Sequence, residues 1–270
     1  MTTLAVTHCP CCTSPNRSDP FVTWNELSYR RCLNCRCTYQ DPCFIEEYEE
    51  DYWGVVEDPD GTRRDLSTER DFKIRNWYGN TINHINSLEP GRILDIGAGL
   101  GFFLSAIDKS WEKHAVEISE YSSALISENV QNVSIYREIS DLVQESYFDV
   151  VMFYHVIEHL HDPHEALKQI HRILKPNGTL IIGTPNVASI AGKVFGSNFR
   201  LYAPGHVFLL TPKSLTQMLT VNKFSLSIKE YPYWNTDYRN WPNIFRMFMP
   251  WKLSPPFYGS IMTYYASAMK

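Results

Sequence analysis

Arg92-Ile93-Leu94-Asp95-Ile96-Gly97-Ala98-Gly99-Leu100-Gly101-Phe102-Phe103-Leu104 decides the fold. Its aliphatic opening reads as a buried strand. The three glycines then allow a tight turn and a close approach of ligand to backbone. Phe102 to Lys109 reads as the helix that follows. Strand, glycine turn and helix make the first unit of a nucleotide-binding α/β sheet. Spacing separates the cofactors such a sheet can hold. Dinucleotide enzymes favour Gly-x-Gly-x-x-Gly, which seats a pyrophosphate on a helix N-terminus. Here the order is Gly97-x-Gly99-x-Gly101, with Asp95 two residues before the first glycine. An acid there repels pyrophosphate and suits a cation or an ammonium group. The competing reading is an ordinary strand-turn-helix with glycines for packing.

Working outward, Trp111 to Glu117 reads as the second strand, ending in an acid placed to accept from ribose hydroxyls. Val133 to Tyr136 reads as the third strand. The β-branched and aromatic run up to Tyr154 is the fourth, with His155 at its carboxyl edge. His155-Val156-Ile157-Glu158-His159 also spells an inverted zinc-protease signature. That chemistry needs both histidines one turn apart on a helix, and the strand-like run before them argues against it. An amphipathic helix over Pro163–Leu174 follows, closed by Lys175-Pro176-Asn177-Gly178. Thr179–Gly183, Phe224–Glu230 and Ser260–Met269 read as the remaining strands, and Pro212–Leu219 as a helix. A helical segment over Glu69–Leu88 precedes the first strand.

The glycine turn with its preceding acid resembles the first motif of class I S-adenosylmethionine-dependent methyltransferases. Asp149 through His155, Glu158, His159 and Asp162-Pro163 resembles the fourth strand and loop of the ubiquinone-biosynthesis branch of that family. The resemblance covers residues 90–230 well and 231–270 loosely. It implies an α/β fold: a seven-stranded Rossmann-like sheet with helices on both faces and the last strand inserted antiparallel. It implies cofactor contacts at Asp95, Gly97, Gly99, Gly101, Glu117, Ile118 and Tyr154, and an adenine contact at Asp141. His206, followed by Phe208 and Thr211, would border the substrate pocket. His155 and His206 are the candidate bases, since imidazole titrates near neutral pH. The Glu69–Leu88 helix would cover the cofactor, with Tyr48 and Tyr52 contributing.

All seven cysteines lie in the first 43 residues. Cys9-x-x-Cys12 and Cys32-x-x-Cys35 form two knuckles, and four thiolates suit tetrahedral zinc. Cys11, Cys37 and His8 are competing ligands, and a set of unrelated reduced thiols is the bland alternative. A zinc ribbon beside this catalytic fold resembles the sugar and natural-product methyltransferases.

The organisation expected is a ribbon over 1–45, an acidic linker and covering helix over 46–88, and a catalytic domain over 89–270. Residues 231–259, crowded with aromatics, form an insert or lid. The chain has 270 residues with 44% apolar and 20% charged side chains, which excludes wholesale disorder. The net charge of −5 is uneven, since residues 190–270 hold nine Lys/Arg against two Asp/Glu. That basic third favours an anionic acceptor, such as a nucleotide-linked sugar or natural-product intermediate. The acidic remainder argues against nucleic acid. No basic-apolar leader and no long apolar run is present, so the cytoplasm is expected and a transmembrane segment is not. The rival functions are methylation of RNA or protein, and a non-catalytic cofactor-binding module.

Overall fold

The computed structural model describes residues 2–45, 54–57 and 63–270. Tyr48, Tyr52 and most of the acidic stretch lie outside the described residues. The main sheet contains β1 (Arg92–Ile96), β2 (Glu112–Val116), β3 (Val133–Tyr136), β4 (Phe148–Tyr154), β5 (Leu174–Pro185), β6 (Phe224–Glu230) and β7 (Ile261–Ala268). Their order is β3-β2-β1-β4-β5-β7-β6. The first five pair in parallel, whereas β7 runs antiparallel between β5 and β6.

Alternation along the strands gives the sheet two apolar faces. Leu94, Ile96, Val151, Phe153, Leu180 and Ile182 face one side with helix Pro163–Ile173 and helix Pro212–Val221. Ile93, Val150, Met152 and Ile181 face the other, against Ile82, Ile85, Phe103, Leu104 and Ile126. Helix Pro163–Ile173 starts on Asp162, whose side chain accepts from the Glu165 amide, and buries Ala166, Leu167, Ile170 and Ile173. Each of the larger side chains contributes about 1.5–3 kcal/mol by leaving water.

Several boundaries differ from the sequence reading for physical reasons. The first helix stops at Ala106, because Ile107 turns extended. The fifth strand is longer than Thr179–Gly183, since Lys175–Gly178 is an excursion within one strand. Pairing with β4 jumps from Phe148↔Leu174 to Val150↔Thr179 across it. Asp149 pins this end of the sheet: it accepts from the Arg92 amide at 2.8 Å and from Lys175 Nζ at 2.7 Å. The segment over 70–86 is helical throughout but widens to a π turn over Ile74–Tyr78.

The cysteine-bearing region contributes an antiparallel sheet of Phe21–Val22, Ser28–Arg31 and Thr38–Gln40. Its fourth strand, Phe208–Leu209, comes from the long connection after β5. Tyr29 Oη donates to the His206 carbonyl at 2.7 Å, and Gln40 Nε2 donates to the Pro204 carbonyl at 2.7 Å. The larger sheet of the ribbon region is therefore completed from outside it, beside a separate two-stranded sheet of Thr2–Leu4 and Cys43–Ile45.

Gly183 shows how tightly the β4–β5 junction is built. A Cβ there would sit 2.0 Å from Cε2 of Tyr154. Gly183→Ala is expected to lower stability by about 2–3 kcal/mol, the cost of overpacking, read as a reduced denaturant midpoint at unchanged slope. An unchanged midpoint would contradict that packing.

Candidate active site

The glycine turn joins β1 to the helix starting at Phe102, and Gly97, Gly99 and Gly101 all have positive φ (72°, 54° and 73°). Side chains disfavour that region. A Cβ on Gly97 would also lie 2.5 Å from Cγ2 of Val156. Gly99 donates its amide to Glu117 Oε2 at 2.7 Å, and Ser119 donates to Oε1 at 3.0 Å. Glu117 thus clamps the turn from the end of β2. Asp95 is buried beside it, and burial together with the Glu117 charge raises its carboxyl well above the usual range. Two buried acids make this pocket attractive to a cation.

A cavity of about 230 Å³ opens next to Glu117, lined by Ile118, Ser123, Ile135, Tyr136 and Arg137. Asp141 does not line it. It is exposed, and its Oδ2 accepts from the amides of Glu138 at 2.9 Å and Arg137 at 3.2 Å.

At the carboxyl end of β4, Tyr154 is buried and His155 takes a positive φ of 55°. The His155 ring lies 5.2 Å from Trp77, and Tyr78 lies 5.4 Å from Tyr154. Both cover residues come from the π turn. Trp77 Nε1 donates to Tyr238 Oη at 2.9 Å. Asn76 and Asp237 exchange two hydrogen bonds at 2.6 and 3.1 Å. These contacts fasten the aromatic segment to the covering helix. Lys73 Nζ is buried 5.1 Å above the Trp77 ring, and burial pushes it down to about 8, with Glu69 opposing. A second cavity of about 320 Å³ lies between the covering helix and the aromatic segment, where Arg75, Trp77, Lys229, Tyr233, Trp234 and Tyr258 line it.

Glu158 has no exposed surface. Its Oε1 lies 2.9 Å from His155 Nδ1, and its Oε2 accepts from Thr184 Oγ1 at 3.0 Å. Burial alone would raise this carboxyl. The His155 hydrogen bond and the charges of His155, His159 and His206 outweigh it, holding Glu158 at about 2. His206 places Nδ1 2.7 Å from the Leu201 carbonyl, and desolvation pushes it down to about 4. Its ring packs against His159 at 4.9 Å. Ligand atoms of Glu158, His159 and His206 lie within 4.8 Å of one another. The two candidate histidines therefore converge on one carboxylate from β4 and from the long connection.

The Sγ atoms of Cys9, Cys12, Cys32 and Cys35 lie within 4.8 Å of one another, with Cys9–Cys35 at 3.6 Å and Cys12–Cys32 at 3.5 Å. A tetrahedron of zinc–sulfur bonds of about 2.3 Å needs sulfurs about 3.8 Å apart. The Cys11 and Cys35 amides point at Cys9 and Cys32 sulfurs, both at 3.4 Å, as knuckles require. The donor set fits zinc. Cys9, Cys11 and Cys37 form an overlapping group, whereas Cys43 stands apart, 3.8 Å from His161 Nδ1. One knuckle docks on the start of helix Pro212–Val221: Thr211 Oγ1 donates to the Cys35 carbonyl at 3.2 Å and Lys213 Nζ to the Asn34 carbonyl at 2.8 Å.

With this geometry in hand, comparison with known families decides the assignment. The family model described as "Methyltransferase domain" matches residues 80–226. This chain belongs to the methyltransferase-domain family. Its fold is that of the class I S-adenosylmethionine-dependent methyltransferases. The mitochondrial ubiquinone biosynthesis O-methyltransferase of Dictyostelium discoideum is 23% identical over 53% of this chain and 52% of its own. The tRNA U34 carboxymethyltransferase of Syntrophotalea carbinolica is 28% identical over 37% of this chain and 34% of its own. The chain thus spans about half, or less, of these curated relatives' length. Among solved structures, a SAM-dependent methyltransferase from Archaeoglobus fulgidus superposes with a TM-score of 0.55 at 20% identity, over 75% of this chain and 98% of that one. At that identity the likeness shows the fold.

Several residues gathered at this site give little signal in the sequence. Glu158 stands there only within the His155–His159 string, though its spacing from His155 puts both on one short turn. Lys73, Trp77 and Tyr78 gave one signal, an aromatic pair just ahead of the glycine strand.

Asp95 sets a pH test. Below its raised titration point Asp95 holds a proton and offers a cation nothing. Affinity for S-adenosylmethionine should therefore rise as the pH climbs through that raised point, and Asp95→Asn should flatten that slope while weakening binding, both read by calorimetry. Equal wild-type affinity across the range would refute the charge pairing.

Proposed function

We propose that this methyltransferase methylates a small-molecule nucleophile, with His155 as the base that takes the acceptor's proton. The observation that carries the reading is the Thr184–Glu158–His155 chain at the carboxyl ends of β5 and β4, beside the glycine turn. With Nδ1 committed to Glu158, the neutral imidazole presents Nε2 as its lone-pair nitrogen. S-adenosylmethionine supplies a methyl group on a positively charged sulfur, an electrophile that needs alignment more than activation. Asp95, Glu117 and the glycine turn hold it, with Ile118 at the adjoining cavity, Tyr154 at the strand end and Asp141 nearby. His206, low in basicity, supports the Glu158 carboxylate and is the second candidate base.

The larger cavity is our acceptor site. Its aromatic walls suit a flat or sugar ring, and Arg75 and Lys229 suit an anionic group such as a nucleotide diphosphate. Zinc at Cys9, Cys12, Cys32 and Cys35 would cross-link the ribbon and take no part in the transfer. The division at 1–45, 46–88 and 89–270, with 231–259 as a lid, is our reading of the organisation. Among the described residues no helix is long and apolar enough to cross a membrane. Similarity to a tRNA-modifying enzyme keeps RNA as the second reading. The eight acids and no bases of residues 46–60 oppose it.

Two experiments check this account. His155→Ala should lower kcat by about 100-fold or more with cofactor affinity unchanged, in line with the worth of a general base. Full turnover would remove His155 from the role. Freshly purified protein should carry about one zinc per chain by mass spectrometry, and Cys32→Ser should shed it and lower the melting temperature. Less than about half an equivalent would contradict the ribbon.

A further inference from the structure

Five large rings lie uncovered in one short stretch of the aromatic segment. Trp234, Trp241, Phe245, Phe248 and Trp251 are 60%, 71%, 62%, 75% and 72% exposed. Folded chains seldom leave so many large rings of one segment in water without a use for them. The spacing of Trp241, Phe245 and Phe248 puts them on one face of helix Trp241–Arg246 and the turn that follows. The opposite face is anchored: Asn243 is buried, and its Nδ2 donates to the Tyr238 carbonyl at 2.9 Å. The rings are thus held outward by a fixed element.

Charge says what the rings meet. Arg239 and Lys252 are exposed on this stretch, and Arg246 lies among them. Arg239 stands 5.4 Å from the Trp234 ring. No acid occurs from residue 238 to 270, and the nearest one, Asp237, is paired with Arg75 at 2.6 Å. Tryptophan and phenylalanine interleaved with arginine and lysine match the headgroup layer of an anionic bilayer, where rings enter the acyl boundary and cations meet phosphates.

We infer that Trp241, Phe245, Phe248 and Trp251, flanked by Arg239 and Lys252, form an interfacial anchor that docks this methyltransferase on an anionic membrane surface. The anchor lies on the surface and does not span it. It belongs to the same segment that is fastened to the covering helix through Asn76–Asp237 and Trp77–Tyr238. The inference stands apart from the proposed acceptor and from the role of His155.

Flotation of the full chain with phosphatidylcholine vesicles, with and without phosphatidylglycerol, tests it. Expected is recovery with the anionic vesicles, falling as salt rises, and quenching of tryptophan emission by bromine-labelled acyl chains. W241S/F248S/W251S should lower the bound fraction about tenfold or more, with unchanged circular dichroism and unchanged cofactor affinity. Vesicle-free sedimentation gives the competing occupant its chance. A wild-type dimer that this variant splits would overturn the inference in favour of a second copy of the chain. Failure of the wild type to float with anionic vesicles, or absence of bromolipid quenching, would overturn it outright.

Discussion

Glu158 keeps its charge with no exposed surface, and the reactive end of the sheet is arranged around that fact. An isolated buried carboxylate would take up a proton. This one is held ionised by the His155 ring and the Thr184 hydroxyl, with the imidazoles of His159 and His206 within 4.8 Å of it. Those partners come from the ends of β4 and β5 and from the long connection after β5. The same connection gives Phe208–Leu209 to the cysteine-bearing sheet. The ribbon region thereby acts as a buttress: it fixes the strand that positions His206, which faces the carboxylate that positions His155. Zinc in that region would stiffen the support without touching substrate.

The cofactor end follows a complementary logic. Asp95 and Glu117 are buried next to one another, and the second clamps the backbone of Gly99. Crowding two carboxylates raises the proton affinity of Asp95. The arrangement is unfavourable when empty of positive charge and favourable with it. A pyrophosphate-bearing cofactor would meet the opposite balance. Negative charge is therefore concentrated at the glycine turn, our proposed seat for the sulfonium and ammonium, and positive charge in the C-terminal third, where the aromatic segment meets solvent.

Much of this was legible in the sequence because the decisive features are local. The aliphatic runs of β1 and β4 and the three glycines report their own geometry within a dozen residues. The antiparallel last strand came from the family resemblance and agrees with the structure. What escaped depends on contacts across long separations. Nothing near residue 208 announces pairing with residues 38–40. The π turn at Ile74–Tyr78 carries no period of its own, so Trp77 could not be placed over His155 beforehand. Asp141 shows the converse: an acid at the expected distance along the chain caps its own turn and faces solvent, since a loop register is not set by hydrophobic alternation.

Nitrogen-15 NMR of ring-labelled histidine tests the central claim most directly. If Glu158 organises the site, neutral His155 carries its proton on Nδ1, and Nε2 resonates as an unprotonated imine nitrogen. A proton on Nε2 of neutral His155, with Nδ1 bare toward Glu158, would contradict the account.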